Sequence, residues 1–344
     1  MRPYDALLVV SFGGPEGPDD VMPFLETVTA GRGVPRERLL DVAQHYHHFG
    51  GVSPINGQNR ALIAAVEADF ATNGLDLPVY WGNRNWTPTL PEALARMRDD
   101  GVTNAIAFLT SAYASFSSCR QYLDAIERAR VEIGEEAPHV DRLRQYFNHP
   151  GFVEPMADGV RAALASLPEP LAAQAHLAFV AHSVPTVMEV ASGPSGQAYT
   201  AQLAEATRLV AQLVARAVGG EHGVSLSYCS RSGSPSVPWL EPDICDRLTE
   251  LAGIGAAAVV VVPIGFVSDH MEVVYDLDTE AAQRAAELNL PFVRSATVGT
   301  EPRFVAMVRD LVLERMGERE PRACGDLGAA HDVCPAGCCR MPAR

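Results

Sequence analysis

Residues 257–280 read AAVVVVPIGFVSDHMEVVYDLDTE. The first part is a short apolar run dominated by β-branched valine, which suits a strand buried on both faces. Pro263 and Gly265 close the run, and from Met271 the apolar positions take helical spacing. A strand leading through a short loop into a helix is the repeating unit of an α/β protein. The unit recurs along the chain. Apolar runs at 6–12, 78–82, 105–110, 177–181, 225–229 and 292–295 alternate with helix-like stretches at 62–70, 91–98, 118–131 and 199–217, besides the one at 271–288. Such alternation predicts parallel sheets covered by helices on both faces. Seven or eight strands form either one sheet or two smaller ones. The segment NHPGFVEP at 148–155 interrupts the rhythm and favours two similar α/β halves.

The length of 344 residues also fits two domains at roughly 150 residues each. The chain carries 27 Lys+Arg against 42 Asp+Glu, a formal net charge of −15. That acidity argues against nucleic acid or an anionic membrane as the main partner. With 47% hydrophobic and 20% charged residues, the chain has the composition of an ordinary globular enzyme. The most apolar run, 256–267, spans 12 residues and contains a proline and a glycine. A membrane-spanning helix needs about 20. The opening MRPYDALLVVSFGG has no signal-peptide cleavage pattern. A cytoplasmic protein is expected, and the seven cysteines agree with it. Cys119, Cys229 and Cys245 are scattered, whereas Cys324, Cys334, Cys338 and Cys339 crowd the last 21 residues. In a reducing compartment such a cluster indicates a metal before disulfides.

The loop after the first run, GGPEGP at 13–18, is not a dinucleotide-binding turn, because its two prolines remove backbone donors. No phosphate-binding lysine loop occurs either, so a nucleotide enzyme is disfavoured. Two other features carry chemistry. His182 ends the run LAFVAHSVP, which puts an imidazole at the carboxyl end of a buried strand, where ligand crevices of open α/β sheets form. A neutral imidazole there takes a proton or binds a metal. Glu272, Asp276 and Glu280 follow the valine-rich strand at i, i+4, i+8. On a helix they line one face at about 6 Å per step. Such a row binds a divalent cation, relays protons, or simply faces solvent.

Taken together, FVAHSVP and PIGFVSDHMEVVYDLD resemble the ferrochelatase family, whose members insert ferrous iron into a porphyrin. The resemblance extends to VSFGGPEGP at 10–18, YHHFGGVSPINGQ at 46–58 and SFSSCRQY at 115–122, and covers nearly the whole chain. It implies an α/β fold of two similar Rossmann-like, chelatase-type domains with four-stranded parallel sheets and a porphyrin cleft between them. The expected division is 1–150 and 151–300 for the domains, 301–316 for a C-terminal helix, and 317–344 for a linker and Cys-rich tail. Within the family the chain resembles the actinobacterial coproporphyrin III ferrochelatases. That likeness implies Fe2+ and coproporphyrin III as substrates, with coprohaem passed to downstream haem-pathway enzymes. The alternatives are a protoporphyrin IX ferrochelatase or a non-catalytic tetrapyrrole or metal carrier.

The resemblance also assigns residues. His182 and Glu272 match the groups that face each other across the porphyrin, binding iron and abstracting protons. Metalation removes two pyrrole N–H protons while a dehydrated cation arrives, so a base and a ligand must lie within reach. Asp276 and Glu280 match an acidic metal or proton path. Ser53 and Tyr122 match positions whose hydroxyls hold substrate propionates. One departure is Phe12, at a position where Firmicutes relatives carry a tyrosine that ligates the product iron; a phenyl ring has no donor atom. Arg32 lies near a propionate-binding basic stretch of those relatives, but Thr29 and Ala30 lack the matching charge. In the tail, the four cysteines at C-x9-C-x3-C-C spacing suffice for a [2Fe–2S] cluster or a structural zinc. Some ferrochelatases carry a C-terminal [2Fe–2S] cluster, so the resemblance implies one on Cys324, Cys334, Cys338 and Cys339. Cys119 is a reserve ligand, since adjacent Cys338 and Cys339 serve one cluster only under strain.

Overall fold

The computed structural model describes residues 4–31, 33–232 and 236–341, so Arg32 lies outside the described residues. The chain forms two four-stranded sheets, parallel throughout. The first contains β1 (Ala6–Ser11), β2 (Val79–Asn83), β3 (Asn104–Leu109) and β4 (His139–Arg142), in the order β2-β1-β3-β4. The second contains β5 (His176–His182), β6 (Val224–Cys229), β7 (Val259–Val262) and β8 (Phe292–Arg294), in the order β6-β5-β7-β8. The two orders are the same, so each half repeats one winding. The alternative of a single large sheet is excluded. Strand β4, HVDR, has no apolar run; it is an edge strand held by backbone pairing to β3.

Helices cover both faces. In the first half these are α1 (Val21–Val28), α2 (Arg36–His48), α3 (Ile55–Thr72), α4 (Leu90–Asp99) and α5 (Gln121–Ile133). The second half has α6 (Pro150–Ala165), α7 (Glu169–Ala172), α8 (Thr186–Val190), α9 (Ala198–Val218), α10 (Ile244–Gly253), α11 (Met271–Tyr275) and α12 (Ala282–Glu287), and α13 (Pro302–Arg315) follows. Side chains of β1 alternate between two cores, as a strand requires. Leu7 and Val9 pack with Leu62, Val66 and Phe70 of α3, and Leu8 and Val10 pack with Leu94 and Met97 of α4. β5 does the same with Leu177 and Phe179 on one side and Ala178 and Val180 on the other.

The halves share one core. Phe304 of α13 is fully buried, with its ring 6.3 Å from Phe108 and 6.0 Å from Tyr146. Arg309 of α13 reaches both carboxylate oxygens of Asp69 on α3 at 2.7 Å. Truncating a buried phenylalanine of this kind costs about 3–5 kcal/mol, so the joint behaves as core. Beyond α13 the chain returns along the segment before α6. Arg144 donates to the Arg322 carbonyl at 2.7 Å, Cys324 N–H to the Asn148 carbonyl at 2.8 Å, and Asn148 to the Gly328 carbonyl at 2.7 Å. Among the described residues no helix is long and apolar enough to cross a membrane.

Winding order locates the crevices. In each half the chain reverses direction beside its first strand, between β1 and β3 and between β5 and β7. Ligands of open α/β sheets bind outside the carboxyl ends at that reversal. His182 terminates β5, and the loop after β7 leads to α11.

Candidate active site and sulfur site

His182 and Glu272 meet where the winding predicts. The imidazole Nε2 lies 3.4 Å from Glu272 Oε1, and both side chains are partly open to the cleft. His182 Nδ1 donates to the Ser183 carbonyl, which leaves Nε2 as the reactive nitrogen. His270 is the N-cap of α11: its Nδ1 accepts from Glu272 N–H at 3.2 Å and stands 3.8 Å from Glu272 Oε2. Burial alone would lower the imidazole of His182, but the charge and hydrogen bond of Glu272 raise it to about 9. Burial would raise Glu272, yet His182, His270 and Arg84 together bring it down to about 2. The ligand-free site therefore holds an imidazolium–carboxylate pair.

The acidic row departs from a plain helix over 271–288. After α11 the backbone makes a π-helical turn, Asp276–Ala281, before α12 resumes. The Thr279 hydroxyl bonds the Val274 carbonyl, five residues back, at 3.1 Å. Such π turns are enriched at functional sites. Ser230 donates to Asp276, while burial and the charges of Glu272 and Glu280 push its carboxyl up to about 7. Glu280 is exposed, and partial burial with Asp243 nearby raises it. The row thus runs from the cleft to the surface.

The first half supplies the opposite wall. The Arg84 guanidinium lies 4.9 Å from the Phe12 ring and 5.0 Å from the Tyr122 ring, and donates to Gln121 Oε1 at 2.9 Å. Its charge acts on Glu272, and Glu272 in turn acts on Tyr122 and on the half-buried Tyr46. Ser53 is buried under the Gly14 turn, where an added Cβ would come within 2.7 Å of its own. A stacked pair, His45 on Tyr275 at 3.7 Å, joins α2 to α11.

A family model for ferrochelatase matches residues 4–316. The chain belongs to the ferrochelatase family. It is 58% identical to the coproporphyrin III ferrochelatase of Streptomyces coelicolor, over 99% of this chain and 94% of that protein. It is 56% identical to the coproporphyrin III ferrochelatase of Frankia alni, over 98% of this chain and 87% of the relative. The structure of SirB from Bacillus subtilis with Fe3+ superposes with a TM-score of 0.53 at 13% identity, covering 91% of this chain and 97% of that one. That likeness is one of fold.

The C-terminal tail brings a second set of candidate ligand atoms together, drawn partly from outside the four clustered cysteines. Cys119 Sγ and Cys338 Sγ each lie 3.8 Å from Cys339 Sγ. Ligand atoms of His331, Cys334 and Cys338 lie within 4.8 Å of one another. Cys324 is not in this group. Asn148 holds its N–H at 2.8 Å and its carbonyl at 3.2 Å, and Glu154 and Arg322 are the charges felt by its thiol. Residues 325–333 are then needed to carry the chain to Cys334. Cys119, on the π-helical turn Phe116–Arg120 that follows β3, approaches from the first half and meets Cys339. Adjacent Cys338 and Cys339 both reach the group because Cys339 adopts a left-handed backbone, φ 52°. Gly193 N–H donates to Cys339 Sγ at 3.0 Å and Arg142 to Cys334 Sγ at 3.3 Å. Bonds from Cys119 and Gly193 outweigh burial and bring Cys339 down to about 6; His331 and Arg142 do the same for Cys334, to about 7. A His331–Cys334–Cys338 group continued through Cys339 to Cys119, with N–H donors aimed at two of the sulfurs, offers the donor set of a thiolate-ligated group. The sequence alone did not assign His270, His331 or Arg142; the SDH motif contained the first, and the other two had no local signal.

Proposed function

We propose that the protein inserts ferrous iron into coproporphyrin III, releasing two protons and yielding coprohaem for downstream haem-pathway enzymes. The observation that carries this reading is the 3.4 Å approach of His182 Nε2 to Glu272 Oε1 at the reversal crevice of the second half. The names of the actinobacterial relatives favour coproporphyrin as the porphyrin.

In this reading residues 1–150 and 151–300 form the two walls, 301–316 tie them together, and 317–344 carry the sulfur site. Because the site starts as an imidazolium–carboxylate pair, His182 first passes its Nε2 proton outward by way of Asp276 and then accepts the two pyrrole protons one after the other, while ionised Glu272 offers an oxygen to the incoming cation. Asp276, poised near neutrality, takes the proton onward to Glu280 at the surface. Iron stays ferrous, so no electrons are required. Hydroxyls of Ser53 and Tyr122 receive propionates on the opposite wall. Phe12, without a donor atom, packs on the macrocycle instead of ligating iron. Cys119, Cys334, Cys338 and Cys339, with His331 beside Cys334 and Cys338, would hold a [2Fe–2S] cluster, which would supply a one-electron centre and cross-link the tail. The seven free cysteines suit a reducing cytoplasm. An anaerobic insertion assay run in parallel on coproporphyrin III and protoporphyrin IX tests the reading. Turnover of coproporphyrin III is expected, and exclusive use of protoporphyrin IX would overturn the substrate assignment.

A further inference from the structure

Beneath the His182–Glu272 pair lie two buried tyrosines that the chemistry above does not use. Strand β5 outruns β7. Its last pair with β7 is Phe179–Val262, while its pairing with β6 continues to His182–Cys229. Gly265 N–H takes the Val180 carbonyl at 3.1 Å. Carbonyls alternate in direction along a strand, so the His182 carbonyl, two residues on, points to the side that β7 has already left. Tyr199 fills the gap: its hydroxyl donates to the His182 carbonyl at 2.8 Å. The loop that leaves β7 is also held by a phenol. The Tyr113 hydroxyl donates to the Ile264 carbonyl at 2.9 Å, two residues past the end of β7 in the loop that leads to Glu272.

These phenols are themselves firmly placed. Their rings touch edge to face, with centroids 6.1 Å apart. Tyr199 N–H donates to Ser192 Oγ at 3.0 Å, and that hydroxyl donates to Glu189 Oε2 at 3.0 Å. Tyr113 comes from the first half of the chain and Tyr199 from α9 of the second, so the pair also registers one wall against the other.

We propose that Tyr199 and Tyr113 are positioning residues of the insertion reaction, their hydroxyls fixing the end of β5 that carries His182 and the start of the loop that runs from β7 to Glu272 on α11. Neither touches substrate. Both act through the backbone that sets the separation of the pair, and small displacements of reacting groups cost large factors in rate. The inference rests on the reading of His182 as the base.

The test is removal of each hydroxyl alone, by Tyr199→Phe and Tyr113→Phe, which keeps the rings in the core. Each variant is expected to lower kcat about tenfold while KM for coproporphyrin stays within about twofold of the parent. The 15N signals of the His182 ring, assigned by their loss in His182→Ala, are expected to move in both variants. Unchanged kcat and unchanged His182 signals, even with a lowered Tm, would make the tyrosines packing residues only and overturn the proposal. A defect confined to KM would overturn it equally. If His182→Ala itself still inserts iron, the underlying reading of the site fails, independently of the tyrosine variants.

Discussion

At the scale of single residues, His182 and Glu272 titrate in opposite directions, and stability inherits both shifts. His182 stands at about 9 in the folded chain against an ordinary 6.5. Its contribution is complete below 6.5 and is lost as pH rises through 9. Glu272 stands at about 2 against an ordinary 4.5, so its contribution is complete above 4.5 and is lost as pH falls through 2. The pair is fully effective between those ordinary values, from 4.5 to 6.5. Thermal denaturation of the parent and Glu272→Gln should therefore show a Tm gap that closes as pH rises past about 9. A gap constant up to pH 10 or so would refute the ion pair. Activity answers a separate question. His182→Ala and Glu272→Gln should each lower turnover by about 100-fold or more, the usual reach of acid–base catalysis, with porphyrin still bound in a fluorescence titration. Both residues were legible in the sequence because a strand end and a strand-to-helix loop mark them. His270 was harder to read, since its work is to cap α11 and face Glu272, a role set by loop geometry.

At the scale of elements, the acidic helix and the tail each differ from their spacing in a way that has consequences. A straight α-helix over 271–288 would stack Glu272, Asp276 and Glu280 evenly. The π turn instead begins at Asp276, where Ser230 meets the carboxylate. No propensity rule signals one extra residue in a turn, so only the folded backbone shows it. With Asp276 pushed up to about 7, it is neutral below that pH and ionised above it. A relay that needs the ionised form gains rate as pH rises through 7, and Asp276→Asn should flatten that limb of the kcat profile. An unaltered limb would remove Asp276 from the path. The tail makes a sharper distinction. Linear spacing groups Cys324 with its three neighbours in sequence, but the turn after β3 delivers Cys119 across more than 200 positions of chain, bonded to Cys339 with a sequence separation of 220. In anaerobically purified protein, Cys119→Ser should lose the brown colour and about two irons and two sulfides per chain, whereas Cys324→Ser should keep them. The reverse pattern would restore the ligand set that the spacing suggests, and zinc without sulfide would replace the cluster.

At the scale of the whole molecule, the duplicated winding was readable from alternating apolar runs, and the polar edge strand β4 was not, because backbone pairing alone holds it in the sheet. Nor does any local pattern announce that Phe304 of α13 enters the core of the first half beside Phe108 and Tyr146. What the full sequence does give is charge. In the proposed reaction a body of formal charge −15 stands between two substrates of opposite sign, a porphyrin carrying four carboxylates and a divalent cation. Long-range fields act on encounter rates and are screened beyond about 8 Å at physiological ionic strength. The protein's field repels the porphyrin and draws in the metal, with the acidic row from exposed Glu280 to Glu272 at its inner end. Raising salt from about 10 mM to about 150 mM, where the Debye length falls from roughly 30 to 8 Å, should then lower KM for coproporphyrin III. The same change should raise KM for Fe2+ while leaving kcat little altered, because His182 and Glu272 stand 3.4 Å apart, well inside the Debye length. Steady-state assays with each substrate varied in turn read the two slopes. Slopes of the same sign would mean that local contacts, such as Arg84 at the porphyrin wall, govern capture and that the net charge does not.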